Sequence, residues 1–260
     1  MKSLKSKINS IFINVLGINL KTIKSLIYFP KFFKDFFLFL SQGGKINSIF
    51  PILSDYHDFA GNIFNQYFIQ DLHVSKLIYK NRNNFDKHLD VGSRLDGFVS
   101  TLSVFSKVDV FDIRPLKVFS NNVKFIQKDF IKETKFDETR YKSISCLHSI
   151  EHFGLGRYSD KINKDGPIIG FKNLYSLLEN KGFLYLSFPI SSKPRVEFNA
   201  HRIFSQTVIL EWISTLLIND LDLVSFDYID DKLNLHINQN IEKKIEKLSF
   251  GCGIFTMRKK

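Results

Sequence analysis

Residues 88–98, HLDVGSRLDGF, followed at 108–116 by VDVFDIRPL, constrain the fold of this chain more than any other stretch. An apolar strand ending in an acid, a glycine turn, and a second strand ending in an acid about twenty residues on is how α/β folds hold the ribose of a nucleoside. Asp90 and Asp112 stand 22 positions apart. The spacing predicts a nucleoside site at the strand carboxyl ends, with Asp112 on the ribose hydroxyls.

The turn also bears on which nucleoside is held. A dinucleotide needs G-x-G-x-x-G, so that backbone N–H groups and a helix N-terminus can approach a pyrophosphate. Here the turn reads Gly92-Ser93-Arg94-Leu95-Asp96-Gly97, with one early glycine and a carboxylate where phosphate oxygens would lie. Asp90 and Asp96 would attract the sulfonium and ammonium of S-adenosylmethionine and repel a pyrophosphate. The turn therefore favours S-adenosylmethionine over NAD; the plainer alternative is a strand-to-helix turn with a capping aspartate.

At 260 residues the chain suits one α/β domain with an extension: residues 1–60 as a basic, amphipathic helical extension and residues 61–260 as the catalytic domain. The net charge of +11 is spread out and carries no aromatic-basic RNA motif, so nucleic acid is not expected; an anionic acceptor or an anionic membrane surface accounts for it. Cys146 and Cys252 form no C-x-x-C or Cys/His pattern and read as buried thiols in a reducing compartment, hence a cytoplasmic protein. Lys2, Lys5 and Lys7 before IFINVLGINL imitate a signal peptide, but Asn14 and Asn19 interrupt the run and no small-residue cleavage site follows. LIYFPKFFKDFFLFL is too short and too charged to span a bilayer. Its portion 32–40 is an amphipathic helix that suits packing on the domain or peripheral contact of residues 1–40 with the inner membrane face.

Periodicity predicts a helix over 62–80, strand 86–91, helix 96–105, strands 107–112, 123–127 and 142–148, helix 166–180 and strand 183–188. A helix from Ser205 to Leu217, strand 221–229, a surface insertion 230–249 with a short helix at 241–248, and strand 250–257 complete the order. The βα alternation implies a mostly parallel sheet with helices on both faces. A late strand pair with no helix required between them suits a reversed last strand.

Several blocks together resemble the family catalogued as domain of unknown function 268, class I methyltransferase-like proteins of bacteria. They are YFIQDLHVSKLI, LDVGSRLDGF, VDVFDIRPL, SCLHSIEHFGLGRYSD, DGPIIGFKNLYSLLENKGFLYLSFPI, FNAHRIFS and FGCGIFTMRK. The resemblance implies a Rossmann-like α/β class I methyltransferase sheet, mostly parallel with its last strand antiparallel, and S-adenosylmethionine as cofactor. It places Asp90 and Gly92 at the methionine end, Asp112 on the ribose, and Asp129 on the adenine amino group near the Phe130 N–H. Ser93, Ile113 and His148 complete the cofactor set. The family pattern's later glycines fall on Arg94 and Asp96 here.

Methyl transfer needs alignment of donor and acceptor and, for a hydroxyl acceptor, removal of a proton. His148, Glu151 and His152 after the fourth strand, and His201 after the fifth, are the candidate catalytic residues, with His152 or His148 as base. Arg157, Asn199 and Arg202 are candidate acceptor ligands, joined by Arg195 as a possible clamp, and GLGRY at 154–158 reads as a mobile lid. A metal held by His148, Glu151, His152 and Asp165 is conceivable, but none is expected. The acceptor is expected to be a sugar, sugar nucleotide or related anionic molecule of surface-polysaccharide assembly. The alternatives are a degenerate membrane-associated scaffold and an NAD-dependent nucleotide-sugar enzyme. The latter's Tyr-x-x-x-Lys pair is absent at Tyr158 and Tyr175.

Overall fold

The computed structural model describes residues 17, 23–57, 65–116, 121–132 and 139–260. The chain divides into two units, Met1–Asn62 and Ile63–Lys260. The basic run before residue 23 and the expected helix start at 62 lie outside the described residues. In the first unit a 3₁₀ turn, Ser25–Tyr28, leads into helix α1, Phe29–Ser41. Pro30 sits in its first turn, where a missing N–H costs nothing. Lys31 and Asp35 pair across one turn at 2.8 Å, and none of the helix's side chains is buried.

The second unit opens with α2, Gln66–Lys80, whose first turn is closed by the Asn65 side chain accepting from the Phe68 N–H. Strands β1 (Lys87–Val91), β2 (Lys107–Asp112), β3 (Val123–Gln127), β4 (Tyr141–Leu147) and β5 (Leu178–Ile190) are parallel. Between β4 and β5 runs α4, Gly166–Leu177; α5, Val208–Thr215, follows the hairpin of β6 (Arg195–Glu197) and β7 (His201–Ile203). Strands β8 (Leu221–Ile229), β9 (Leu235–His236) and β10 (Gly251–Lys259) finish the sheet, in the order β3-β2-β1-β4-β5-β10-β8-β9. Strand β10 is antiparallel to both β5 and β8. This is the class I methyltransferase arrangement; a dinucleotide-binding sheet places its sixth strand directly beside the fifth.

Period-two alternation assigns each strand's residues to two cores. Leu184, Leu186 and Phe188 of β5 face α4 and α5, packing with Phe171 and Trp212, while Tyr185 faces α2, with Val74 and Ile78. Helices thus cover both faces, and an aromatic cluster of Phe188, Trp212, Phe204 and Phe255 anchors one of them.

Four expected elements differ. The helix expected over 166–180 ends at Leu177, and β5 takes over from Leu178 instead of 183. The helix predicted over 96–105 is a π-turn, Leu95–Val99, followed by the short α3, Ser100–Leu102. The hydroxyls of Ser100 and Thr101 both donate to the Gly97 carbonyl, competing with the helical ladder. The helix expected at 241–248 does not form. There Asp230, Asp231, Asn240 and Gln206 hydrogen-bond backbone groups of the insertion directly, and β9 pairs with β8. The stretch ISSKPRVEF, 190–198, read from sequence as a loop, contributes a strand to a hairpin whose turn includes Asn199 in the left-handed region, φ 64°, a conformation asparagine tolerates.

Candidate active site

At the carboxyl ends of β1, β2 and β4 a cleft is lined by Gly92, Phe111, Asp112, Ile113, Arg114 and Lys128, then by Asp129, Phe130, Ile131, His148, Ser149, His152, Tyr158 and Asp160. Such a position, outside the strand ends of an open sheet, is where α/β folds bind ligands. Of the residues expected at the cofactor, Gly92, Asp112, Ile113, Asp129, Phe130 and His148 meet in this cleft. Gly92 has φ 71°, and a Cβ there would collide with the Ser149 hydroxyl; only a bare backbone fits the turn.

Asp90 and Ser93 do not reach the cleft. The Asp90 carboxylate is fully buried, accepting from the hydroxyls of Ser93 and Ser145, each at 2.6 Å, and from the Ser93 N–H. Ser93 Oγ in turn accepts from the Leu147 N–H. Burial raises the Asp90 carboxyl to about 6 despite these hydrogen bonds. Ser145 also meets His88 Nε2 at 2.8 Å, and burial lowers that imidazole to about 3, keeping it neutral. Asp90 therefore braces the turn from behind and is not part of the cleft lining. Asp96 is likewise withdrawn, forked by the Arg94 guanidinium on the exposed side of the turn. The acidic side chains that line the cleft are Asp112, Asp129 and Asp160.

His148 has a left-handed backbone, φ 47°, at the end of β4, a costly geometry that tertiary contacts impose. Its ring lies against Tyr67 of α2, centroids 4.6 Å apart, and Nδ1 is 2.9 Å from Glu151 Oε1. Burial pushes the imidazole down, but the adjacent Cys252 and Glu151 together hold it well above the ordinary histidine range. His148 thus turns Nδ1 to a buried carboxylate. Glu151 is buried behind it; burial raises its carboxyl, and His148 and His152 outweigh that and lower it.

His152 differs. Its Nδ1 is 2.8 Å from the Ala200 carbonyl; a carbonyl only accepts, so Nδ1 carries the proton and Nε2 the lone pair. Burial, reinforced by Arg157, lowers its pKa. Of the two histidines in the cleft wall, His152 is the one whose tautomer a backbone carbonyl fixes.

Of the four acceptor candidates, Arg202, Asn199 and Arg195 are engaged away from the cleft, and Arg157 stands beside it. The buried Arg202 guanidinium donates to the carbonyls of Glu151, Phe153 and Asn163, at 3.3, 2.6 and 3.2 Å; it fastens the loop after β4. Asn199 makes the exposed hairpin turn, and Arg195 pairs with Glu197 at 3.0 Å. Arg157 donates to the Ala200 carbonyl at 2.9 Å beside the cleft. His201 stands 3.1 Å from Glu197 and off the cleft wall. GLGRY is pinned, not a free lid: Asp160 accepts from the N–H groups of Gly154, Gly156 and Tyr158. Among the described residues no three His, Cys, Asp or Glu side chains converge as metal ligands; Asp165 pairs with Lys164.

Arg114 and Lys128 line the cleft and were not singled out from sequence. The signal for Arg114 was its place two residues after Asp112, within reach of that carboxylate. Helix α2 closes the β4 end through Tyr67 on His148 and Gln70, which accepts from Ser187 at 2.6 Å.

A family model described as "Caenorhabditis protein of unknown function, DUF268" matches residues 102–248, more than half of the chain. The chain belongs to the DUF268 family. No curated protein matches it. Among solved structures, this DUF268 member resembles a Burkholderia thailandensis 1,6-didemethyltoxoflavin-N1-methyltransferase with bound S-adenosylhomocysteine (14% identity, 83% of this chain and 94% of that one, TM-score 0.53). It also resembles the [4+2]-cyclase SpnF (11%, 72% and 80%, TM-score 0.52) and an O-methyltransferase of a Brevibacillus brevis trans-AT PKS multienzyme with S-adenosyl-L-homocysteine (14%, 73% and 71%, TM-score 0.50). At these identities the likeness shows the fold. The three differ in chemistry, so the reaction must be argued from the site.

Proposed function

We propose that this DUF268 protein is an S-adenosylmethionine-dependent methyltransferase. The observation that carries the reading is the convergence of the Gly92 turn and Asp112 on one cleft of a class I methyltransferase sheet. The residues suit a phosphate-free adenosine: Asp112 for the ribose hydroxyls, the Phe111, Ile113, Phe130 and Ile131 side chains for an apolar adenine face, Asp129 for its amino group, and Gly92 for close backbone approach. The cofactor would supply a methyl group already activated on a sulfonium. The chain's own part is to align the acceptor, exclude water and accept one proton. His152 Nε2 is the base, its tautomer fixed by the Ala200 carbonyl; Glu151 and His148 hold the wall behind it.

Arg114, Arg157 and Lys128 around the mouth support an anionic acceptor, such as a sugar or sugar nucleotide. The surface-polysaccharide setting is supported by the family resemblance alone. Calorimetric titration of the full chain is expected to show binding of S-adenosylhomocysteine and none of NAD. Binding of NAD alone would support the oxidoreductase reading, and binding of neither the scaffold.

Helix α1 supports peripheral contact with an anionic membrane. Phe33 and Phe37 are exposed one turn apart, Lys31 and Lys34 flank them, and the preceding sequence is lysine-rich. Among the described residues no helix is long and apolar enough to cross a membrane. The full chain carrying Phe33→Glu and Phe37→Glu is expected to co-sediment with phosphatidylserine-containing vesicles at least about fivefold less than wild type. Equal sedimentation removes the contact.

A further inference from the structure

In this structure the ribose carboxylate is occupied by a neighbouring side chain. Arg114 donates from Nε to Asp112 Oδ1 at 2.9 Å and from Nη2 to Oδ2 at 2.5 Å, and its backbone N–H donates to Oδ1 at 2.8 Å. Fork-to-fork pairing is the strongest ion-pair geometry a carboxylate can make. The Asp112 side chain is 7% exposed and that of Arg114 49%, so the pair sits at the cleft mouth, partly screened by water. The same guanidinium lies 4.7 Å from the Tyr158 ring centroid, and Tyr158 comes from the loop after β4 on the opposite wall. Asp112, Arg114 and Tyr158 thus bridge the cleft, whose cavity is about 50 Å³. Pockets that bury ligands of nucleoside size hold roughly 300 Å³ or more.

We propose that Arg114 is a latch. It holds the ribose position on Asp112 until the two hydroxyls of a nucleoside displace it, and the displaced guanidinium then serves, with Arg157, as a cationic pair for an anionic group of the acceptor. Arg157 stacks on the same Tyr158 ring, at 5.4 Å, so the two guanidiniums already share one support. Binding is ordered as a result: the nucleoside enters first, and the anion finds its second cation only afterwards. The inference rests on the nucleoside reading of the cleft and adds to it a residue that sets both affinity and order.

A latched site binds with an affinity reduced by the fraction of molecules that are open. Removing the latch is therefore expected to tighten S-adenosylhomocysteine binding about fivefold to tenfold. The test is calorimetric titration of the full chain as wild type, Arg114→Ala and Arg114→Lys, each with and without inorganic phosphate. Lysine keeps a point charge but not the fork, and should fall between the other two. Phosphate, by stabilising the displaced guanidinium, is expected to tighten nucleoside binding to wild type through reciprocal linkage and to leave Arg114→Ala unchanged. Equal or weaker binding by both variants overturns the latch. Phosphate that weakens binding to wild type, or leaves it unaltered, overturns the hand-over to an anion. Binding by Arg114→Ala alone supports the latch most strongly. Binding by none of the three, each showing cooperative unfolding, overturns the nucleoside reading and the latch together.

Discussion

Replacing Asp112 with alanine is expected to weaken S-adenosylhomocysteine binding by about 100-fold or more, the largest effect of any single change in the cleft. Two ribose hydroxyls donating to one carboxylate are charge-assisted bonds of about 1.5 to 3 kcal/mol each, and both vanish. The same change frees Arg114, which removes the competitor but leaves an unpaired cation where the ribose would sit. The double variant Asp112→Ala with Arg114→Ala separates these effects. If Asp112 is the ribose ligand, the double variant also binds at least tenfold more weakly than Arg114→Ala alone. Wild-type affinity in Asp112→Ala sinks the ribose assignment, whatever the behaviour of Arg114.

Arg202→Met is expected to lower folding stability by about 3 kcal/mol, read as a shift in the urea midpoint at constant slope. Methionine replaces the aliphatic stem but none of the donors, so the carbonyls of Glu151 and Phe153 lose a partner, while that of Asn163 keeps the Gly166 N–H. Each unsatisfied carbonyl costs about 1 to 3 kcal/mol, less what local relaxation recovers. Those carbonyls lie in the segment that carries Glu151 and His152, so its ordering is expected to suffer with the global stability. A midpoint within error of wild type would show that Arg202 is not the fastener and would reopen its reading as an acceptor ligand.

The two arginines show where local sequence stops being informative. Strands β2, β3 and β8 fall on 107–112, 123–127 and 221–229, the ranges expected from period-two alternation, because alternation is a property of adjacent residues and a strand reads it directly. Helix α2 and the Gly92 turn follow for the same reason: helical periodicity and a residue that must take positive φ act within a few positions. The reversal of β10 was also legible, from the absence of a helix requirement before it.

Side-chain partners are decided otherwise. Arg202 and Arg114 are the same residue type near the same cleft, yet one is buried on carbonyls up to 51 positions away and the other lies half exposed on a neighbour two positions off. Asp90 and Asp112 each end a parallel strand, and only Asp112 faces the cleft, because Ser145 of β4 meets Asp90 from the adjacent strand. The stretch 241–248, expected as a short helix, became turns once Gln206, from a distant segment, claimed its backbone groups.

By itself the sequence determined the order of the strands β1 to β5, β8 and β10, the glycine turn and the acid at the end of β2, since each follows from the conformational preferences of residues close together in the chain. The tertiary structure alone decided which carboxylate lines the cleft, which histidine meets a backbone carbonyl, and which arginine is buried on carbonyls and which pairs with a carboxylate at the cleft mouth. Those outcomes depend on burial and on hydrogen-bond partners brought together from segments far apart, and such distances in sequence carry no periodic signal.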